Sequence, residues 1–177
     1  MALPERLISK FSVTASLVLA VTLSASVGVV VWPRVANALG IRPATPAPAY
    51  AAGDRIDVPA AWYSSAPKTL ILFARASCGA CLNAQSFLKT LVSDVTELGG
   101  AVVVAGHRET PKDDGAYARS LGLQDSAFVV FPEGLRVRVT PTLVIVDRSG
   151  AILQAWEAVG PPDRQQQIAA AVQRAFQ

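Results

Sequence analysis

The run Thr69-Leu-Ile-Leu-Phe-Ala-Arg-Ala-Ser-Cys78-Gly79-Ala80-Cys81 constrains this chain more than any other stretch. Leu70 to Ala74 is an apolar run of strand length. After the cysteines, Leu82, Ala84, Phe87, Leu88, Leu91, Val92, Val95 and Leu98 recur at helical spacing. The pattern places Cys78 where a buried strand turns into the first turn of a helix. That helix is expected to run from Cys78 or Gly79 to Leu98 and to close at Gly99-Gly100. Backbone N–H groups in a first helical turn lack intrahelical partners, and the helix dipole favours negative charge there. A cysteine in that place is stabilised as the thiolate, its reactive form.

The two cysteines of the motif are the only two in the sequence. A bridge closing so small a loop removes little chain entropy, so the pair is a poor structural staple. A structural zinc site usually takes four ligands, and only one histidine is available to add. The bland alternative is a pair of buried, inert cysteines, against which the strand–C-x-x-C–helix context stands. The net charge is +3, with the basic residues scattered and no basic stripe interleaved with aromatics, so a nucleic-acid role has little support.

The N-terminus has a different character. Residues 1–10 carry Arg6 and Lys10 against Glu5, and Phe11 to Trp32 is uncharged and rich in Val, Leu and Ala. About 20 apolar residues suffice to cross a bilayer as a helix. We therefore expect a cytoplasmic n-region over 1–10 and a transmembrane anchor or uncleaved signal over 11–32, with the positive-inside rule leaning toward a cytoplasmic N-terminus. A cleaved signal peptide is the competing reading, because Ala36-Asn37-Ala38 has the small-x-small pattern of a cleavage site. Both place the folded part outside the cytoplasm, the first as the extracytoplasmic or periplasmic domain of a single-pass cell-membrane protein. Residues 33–52, with Pro43, Pro46 and Pro48 among alanines, favour extended chain and are expected as a linker. Residues 53–177 are expected as one domain, a length within the usual range of about 50–250 residues.

Within that domain, Gly53 to Pro59 suggests a turn into a short edge strand, with Trp62 and Tyr63 covering one edge of the core. Ala101–Ala105 suits a parallel strand covered on both faces. Asp113 to Leu121 is expected as a short helix, and Ala127–Val130 as a strand or an extended connection. Leu135, Val137 and Val139 alternate with Arg136 and Arg138, as in extended chain with one wet side. Thr142–Val146, the turn Asp147-Arg-Ser-Gly150 and Ala151–Val159 read as a hairpin, with Ile152, Trp156 and Ala158 as its packed face. A last helix after Gly160-Pro161-Pro162 carries the stripe Ile168, Ala169, Val172, Phe176. This order makes an α/β fold with a mixed sheet.

Together, the strand–C-x-x-C–helix unit, the step Val139-Thr140-Pro141-Thr142 before a strand, and the Asp147–Gly150 hairpin resemble the thioredoxin fold. With the N-terminal hydrophobic segment, the chain resembles the TlpA/ResA-like membrane-anchored thiol–disulfide oxidoreductases over about residues 53–177. The resemblance implies a three-layer α/β/α sandwich and a redox pair Cys78 and Cys81. It also implies a cis Pro141 facing that pair, with Thr140 offering backbone to an extended substrate and Gly79 and Ala80 small enough for a partner chain to approach. The implied partners are protein thiols and disulfides and a membrane electron-transfer partner, with no cofactor. Two departures stand out. Leu72 occupies the place of thioredoxin's buried acid and Ser77 that of the aromatic before the first cysteine, so the proton relay is not carried over. Glu109, Asp113 and Asp114 are expected to be solvated.

Two rival readings remain. Cys78, Cys81 and His107 could form a copper site of a chaperone-like module, since thiolates suit Cu(I). A peroxiredoxin-like peroxidase has Ser77 beside Cys78 in its favour but lacks the upstream proline such chemistry uses.

Overall fold

The computed structural model describes residues 48–132 and 134–177. The segments expected as n-region and anchor lie outside the described residues, as does most of the linker. Among the described residues no helix is long and apolar enough to cross a membrane. Strands β1 (Lys68–Phe73), β2 (Ala101–Gly106), β3 (Phe128–Val130), β4 (Thr142–Asp147) and β5 (Ile152–Glu157) form a sheet in the order β3-β2-β1-β4-β5. β1 lies parallel to β2 and β2 to β3, while β4 runs antiparallel to both β1 and β5. This is the expected mixed sheet. The central strands read as unbroken apolar runs because both their faces are covered. Every residue from Leu70 to Ala74 and from Leu143 to Val146 is at most 1% exposed.

One face of the sheet carries the helices. Leu70, Leu72, Val104, Leu143 and Ile145 pack against α2 (Gln85–Glu97), α3 (Pro111–Ser120) and α4 (Pro162–Phe176). α2 contributes Leu88, Leu91, Val92 and Val95, and α4 contributes Ile168, Val172 and Phe176, each set on one helical stripe. On the opposite face, Ile71, Phe73, Val144 and Val146 are covered by a 3₁₀ turn at Ala60–Trp62 and by non-helical chain around 49–58 and 131–137. The chain between β3 and β4 holds Pro132, Gly134 and Pro141 around alternating Leu135, Val137 and Val139, a pattern that favours extended chain over helix. Leu135 and Val137 pack inward as the alternation suggests.

Several elements differ from expectation. The helix after the cysteines is bent at Ala84, which separates α1 (Gly79–Asn83) from α2. The turn continues across the bend, since Ala84 N–H donates to Ala80 O and Leu88 N–H to Ala84 O. Cys81, Ala84 and Leu88, spaced i, i+3, i+7, all face the first core. α2 ends as expected: Gly99 has φ +76°, its N–H donates to Thr96 O, and Gly100 N–H donates to Val95 O. The edge strand expected over 53–59 is only a bridge between Arg55 and Ala151, with Gly53 N–H donating to Ile152 O, Ile152 N–H to Asp54 O and Ile56 N–H to Gly150 O. Ala158 is not on a packed face; it lies beyond β5, exposed, with φ +58°. A register shift pairs Val146 with Ile152 but Ile145 with Gln154, leaving Leu153 as the extra residue. Ile152 and Trp156 therefore face opposite cores.

Ala49 and Tyr50 are buried in the second core. Tyr50 is 2% exposed and stacks on Phe73 with ring centroids 6.0 Å apart. Its hydroxyl donates to Asp57 Oδ1 at 2.6 Å, and the Arg136 guanidinium lies 4.9 Å from its ring centre. Arg136 also bonds Asp57 Oδ2 through Nε at 3.1 Å and the Arg55 carbonyl at 3.2 Å. One arginine thus ties the 49–57 segment to the chain before β4. Replacing Tyr50 by Ala removes a fully packed aromatic and should cost about 3–5 kcal/mol in denaturant unfolding of the full chain. Tyr50→Phe, which loses only the hydroxyl bond, should cost about 1 kcal/mol. Equal and small losses in both variants would contradict this packing role.

Candidate redox site

Strand register brings the site together. Phe73, last in β1, pairs with Ala105 near the end of β2 and with Thr142 at the start of β4. The loops after β1 and β2 and the loop before β4 therefore converge at one end of the sheet. Cys78 is the N-cap of α1, with extended dihedrals (φ −87°, ψ +110°). Its Sγ accepts the Cys81 N–H at 3.2 Å and lies 3.2 Å from the Thr140 carbonyl, to which the thiol donates. The sulfur thus fills the place that a Ser or Asp oxygen usually takes at a helix start.

The two sulfurs have unequal surroundings. Both cysteines are free thiols; Cys78 is partly exposed and Cys81 is fully buried. Burial pushes the Cys81 thiol up to about 12, and donation to Cys78 adds to the shift against a partly compensating bond from the Arg75 backbone. For Cys78, burial also acts upward, but hydrogen bonds from the Cys81 side chain, from Thr140 and from the Cys81 and Ala80 backbone outweigh it, and its thiol is lowered. The outer sulfur is therefore the one that ionises first.

The remaining expected residues surround this pair. The Thr140–Pro141 peptide is cis, as the resemblance implies, with Pro141 buried and Thr140 half-buried. Gly79 and Ala80 are exposed, and a Cβ on Gly79 would meet nothing within 4 Å. A cavity of about 300 Å³ runs beside them, lined by Asn83, Pro141, Val159 and Gln165 among others. The positive φ of Ala158 lies on its rim, where Ala158 N–H donates to Pro141 O at 3.0 Å.

His107 does not join the cysteines. Its ring packs edge-on against Phe131 with centroids 6.1 Å apart, and its Nδ1 accepts the Glu109 N–H at 3.3 Å. Among the described residues no three His, Cys, Asp or Glu side chains lie close enough together to hold a metal ion. The copper site considered from sequence is thus not assembled, because His107 leaves β2 toward the other covering layer.

Asp114 corrects a second expectation. It is 1% exposed rather than solvated. Its Oδ1 accepts the Ala76 N–H at 2.6 Å, and its Oδ2 accepts the His107 N–H at 2.7 Å and the Thr110 hydroxyl at 3.1 Å. This carboxylate joins the loop carrying Cys78, the end of β2 and the start of α3. Gly106 makes room for it, since a Cβ there would come within 2.6 Å of Asp114 Cβ. The signal was present in the sequence: Asp114, Tyr117, Ala118 and Leu121 share one helical stripe, and all four are buried. Tyr117 from the same stripe donates its hydroxyl to Cys81 O at 2.8 Å.

No family model matches the chain, and no curated protein matches it. Solved structures do. A thiol:disulfide interchange protein DsbE of Chlorobium tepidum aligns with a TM-score of 0.52 at 19% identity, covering 69% of this chain and 98% of its own. A thioredoxin family thiol:disulfide interchange protein of Chlorobium tepidum TLS gives 0.50 at 17% identity, covering 77% of this chain and 100% of its own. MTB DsbF, solved in mixed oxidised and reduced forms, gives 0.50 at 12% identity over 73% and 98%. At these identities the likeness establishes the fold, which is thioredoxin-like.

The asymmetry of the pair is directly measurable. Alkylation of the reduced full chain across pH should modify Cys78 with an apparent pKa below the unperturbed value of about 8.5. Cys81 should stay unmodified until well above that pH. Equal labelling of both cysteines at one pH would contradict the assignment.

Proposed function

We propose that this chain is a thiol–disulfide oxidoreductase of the TlpA/ResA-like kind. In this reading residues 11–32 hold it in the membrane with its folded domain on the extracytoplasmic side. The observation that carries the reading is the pairing of a half-exposed, readily ionised Cys78 with a buried Cys81 at its back. The names of the structural neighbours, thiol:disulfide interchange proteins, support the same chemistry.

The reaction follows from the geometry. The Cys78 thiolate attacks one sulfur of a partner's disulfide. The partner's S–S bond breaks, a mixed disulfide forms, and the leaving sulfur takes up a proton. Cys81 then loses its proton and attacks Cys78 Sγ, releasing the partner as a dithiol and leaving Cys78–Cys81 oxidised. The partner gains two electrons and the chain loses two. A membrane electron-transfer partner returns them in this reading, and no cofactor is needed. Deprotonation of Cys81 is the costlier step while Cys78 carries negative charge; forming the mixed disulfide removes that charge and the bond that holds Cys81 neutral. In this reading Thr140, whose carbonyl lies 3.2 Å from Cys78 Sγ, and Pro141 after it offer a backbone edge to the extended substrate, and the small, exposed Gly79 and Ala80 leave it room.

Replacing Cys78 by Ser should abolish reduction of a protein disulfide such as insulin by the full chain. Cys81→Ser should instead accumulate a mixed disulfide, seen as an adduct by non-reducing electrophoresis and mass spectrometry. Undiminished activity in the Cys78→Ser variant would sink the reading.

A further inference from the structure

The helix that starts at the redox pair breaks at Ala84 (φ −93°, ψ +4°), between α1 and α2. No proline or glycine lies from Leu82 to Leu98 to account for the break. In an unbroken helix the Cys81 carbonyl would accept the N–H of Gln85, four residues on. At the break that carbonyl accepts the Tyr117 hydroxyl from α3, at 2.8 Å. A side chain inserted in the backbone ladder is one of the few causes of a sharp bend. α3 grips the far side of the break as well. Gln85 Nε2 donates to Ser120 Oγ at 2.8 Å, and Ser120 Oγ donates to the Tyr117 carbonyl at 2.6 Å. Tyr117 is 5% exposed, and burial, then the charges of Cys81 and Cys78, push its phenol up. The hydroxyl therefore keeps its proton, and stays a donor, while the thiols titrate.

We propose that Tyr117 is a positioning residue for the resolving step: its hydroxyl, bonded to the Cys81 carbonyl, holds the Cys81 backbone so that Cys81 Sγ meets Cys78 Sγ once the mixed disulfide has formed. The proposal rests on the thiol–disulfide reading of the pair and adds the group that aligns its second half-reaction. Tyr117 acts through the peptide of Cys81 rather than through a sulfur. Alignment is demanding, since a misplacement of about 1 Å can cost roughly 100-fold in rate. The first attack does not depend on this bond. Cys78 is held separately, by the Thr140 carbonyl and, through the Ala76 N–H two residues before it, by Asp114.

The test mixes the reduced full chain with excess dithiobis(nitrobenzoic acid), whose released thiolate is coloured. The Cys78 thiolate attacks one reagent sulfur, breaks its S–S bond, releases one coloured thiolate and leaves a mixed disulfide. Cys81 then gives its proton to solvent and attacks Cys78 Sγ, which releases the second coloured thiolate and leaves Cys78–Cys81 oxidised. The first phase speeds up with reagent concentration; the second is intramolecular and does not. Tyr117→Phe keeps the packed ring and removes only the hydroxyl, so it should slow the second phase about 5- to 10-fold and leave the first within about twofold. Gln85→Ala loosens the same break from its far side and should slow the second phase about 2- to 4-fold. Leu121→Val thins the packing at the end of the same helix without removing a hydrogen bond, and should leave both phases unchanged. A second phase undiminished in either Tyr117→Phe or Gln85→Ala overturns the proposal while leaving thiol–disulfide exchange in place. So does a slowing shared equally by the first phase, or one matched by Leu121→Val. Absence of any reagent-independent second phase in the unmodified chain overturns the exchange reading itself, and this proposal with it.

Discussion

The pairing of Phe73 with Thr142 across β1 and β4 is the constraint on which the site depends. Because the two strands run antiparallel, the end of one lies beside the start of the other. The loop leaving β1 carries Cys78, and the loop entering β4 carries Thr140 and Pro141, so residues far apart in sequence meet at one edge. A slip of one residue in this register would turn every side chain of β1 to the other face and put Leu70 and Leu72 where Ile71 and Phe73 belong. Dense apolar packing on both faces makes such a slip prohibitive. The chemistry at the sheet's end is thus held in place by the hydrophobic core beneath it.

On that frame, the pair is polarised by its surroundings. Removing water acts upward on both thiols, but only the outer one has enough donors around it to reverse the effect. The α1 turn supplies one donor through the Cys81 N–H, while Cys81 itself faces the core with Ala84 and Leu88. Asp114 contributes indirectly. By accepting the Ala76 N–H it fixes the loop whose Arg75 backbone reaches Cys81, without touching either sulfur. A buried carboxylate is costly unless its oxygens are bonded, and here three donors serve it.

Much of this was legible in the sequence because it rests on local periodicity. The unbroken runs Leu70–Ala74 and Leu143–Val146 announce central strands, and Leu88, Leu91, Val92 and Val95 announce the face of α2. Cys78 at a strand-to-helix junction, and Pro141 before a strand, follow from the same order of elements. Features set by long-range packing were not legible. The burial of Tyr50 depends on Phe73 and Arg136, neither of them near it in sequence. The bulge at Leu153 puts Ile152 and Trp156 against opposite cores, and Ala158, beyond the end of β5 at φ +58°, falls outside the alternation altogether. Asp114 was misread because an acid at a helix start usually faces water, although its helical stripe pointed inward. His107 follows β2 closely enough in sequence to suggest a ligand, yet the direction of the chain after Gly106 takes it to Phe131 instead.

The most direct test of the account is the equilibrium between dithiol and disulfide at Cys78 and Cys81. The full chain would be equilibrated in graded glutathione and dithiothreitol buffers, quenched with acid and alkylated. The account predicts a single two-electron couple near that of thioredoxin, roughly −270 mV, as a reductant of partner disulfides requires. A midpoint near roughly −120 mV would reverse the direction of electron flow. Failure of the two cysteines to form a reversible disulfide in any buffer would contradict the central claim outright.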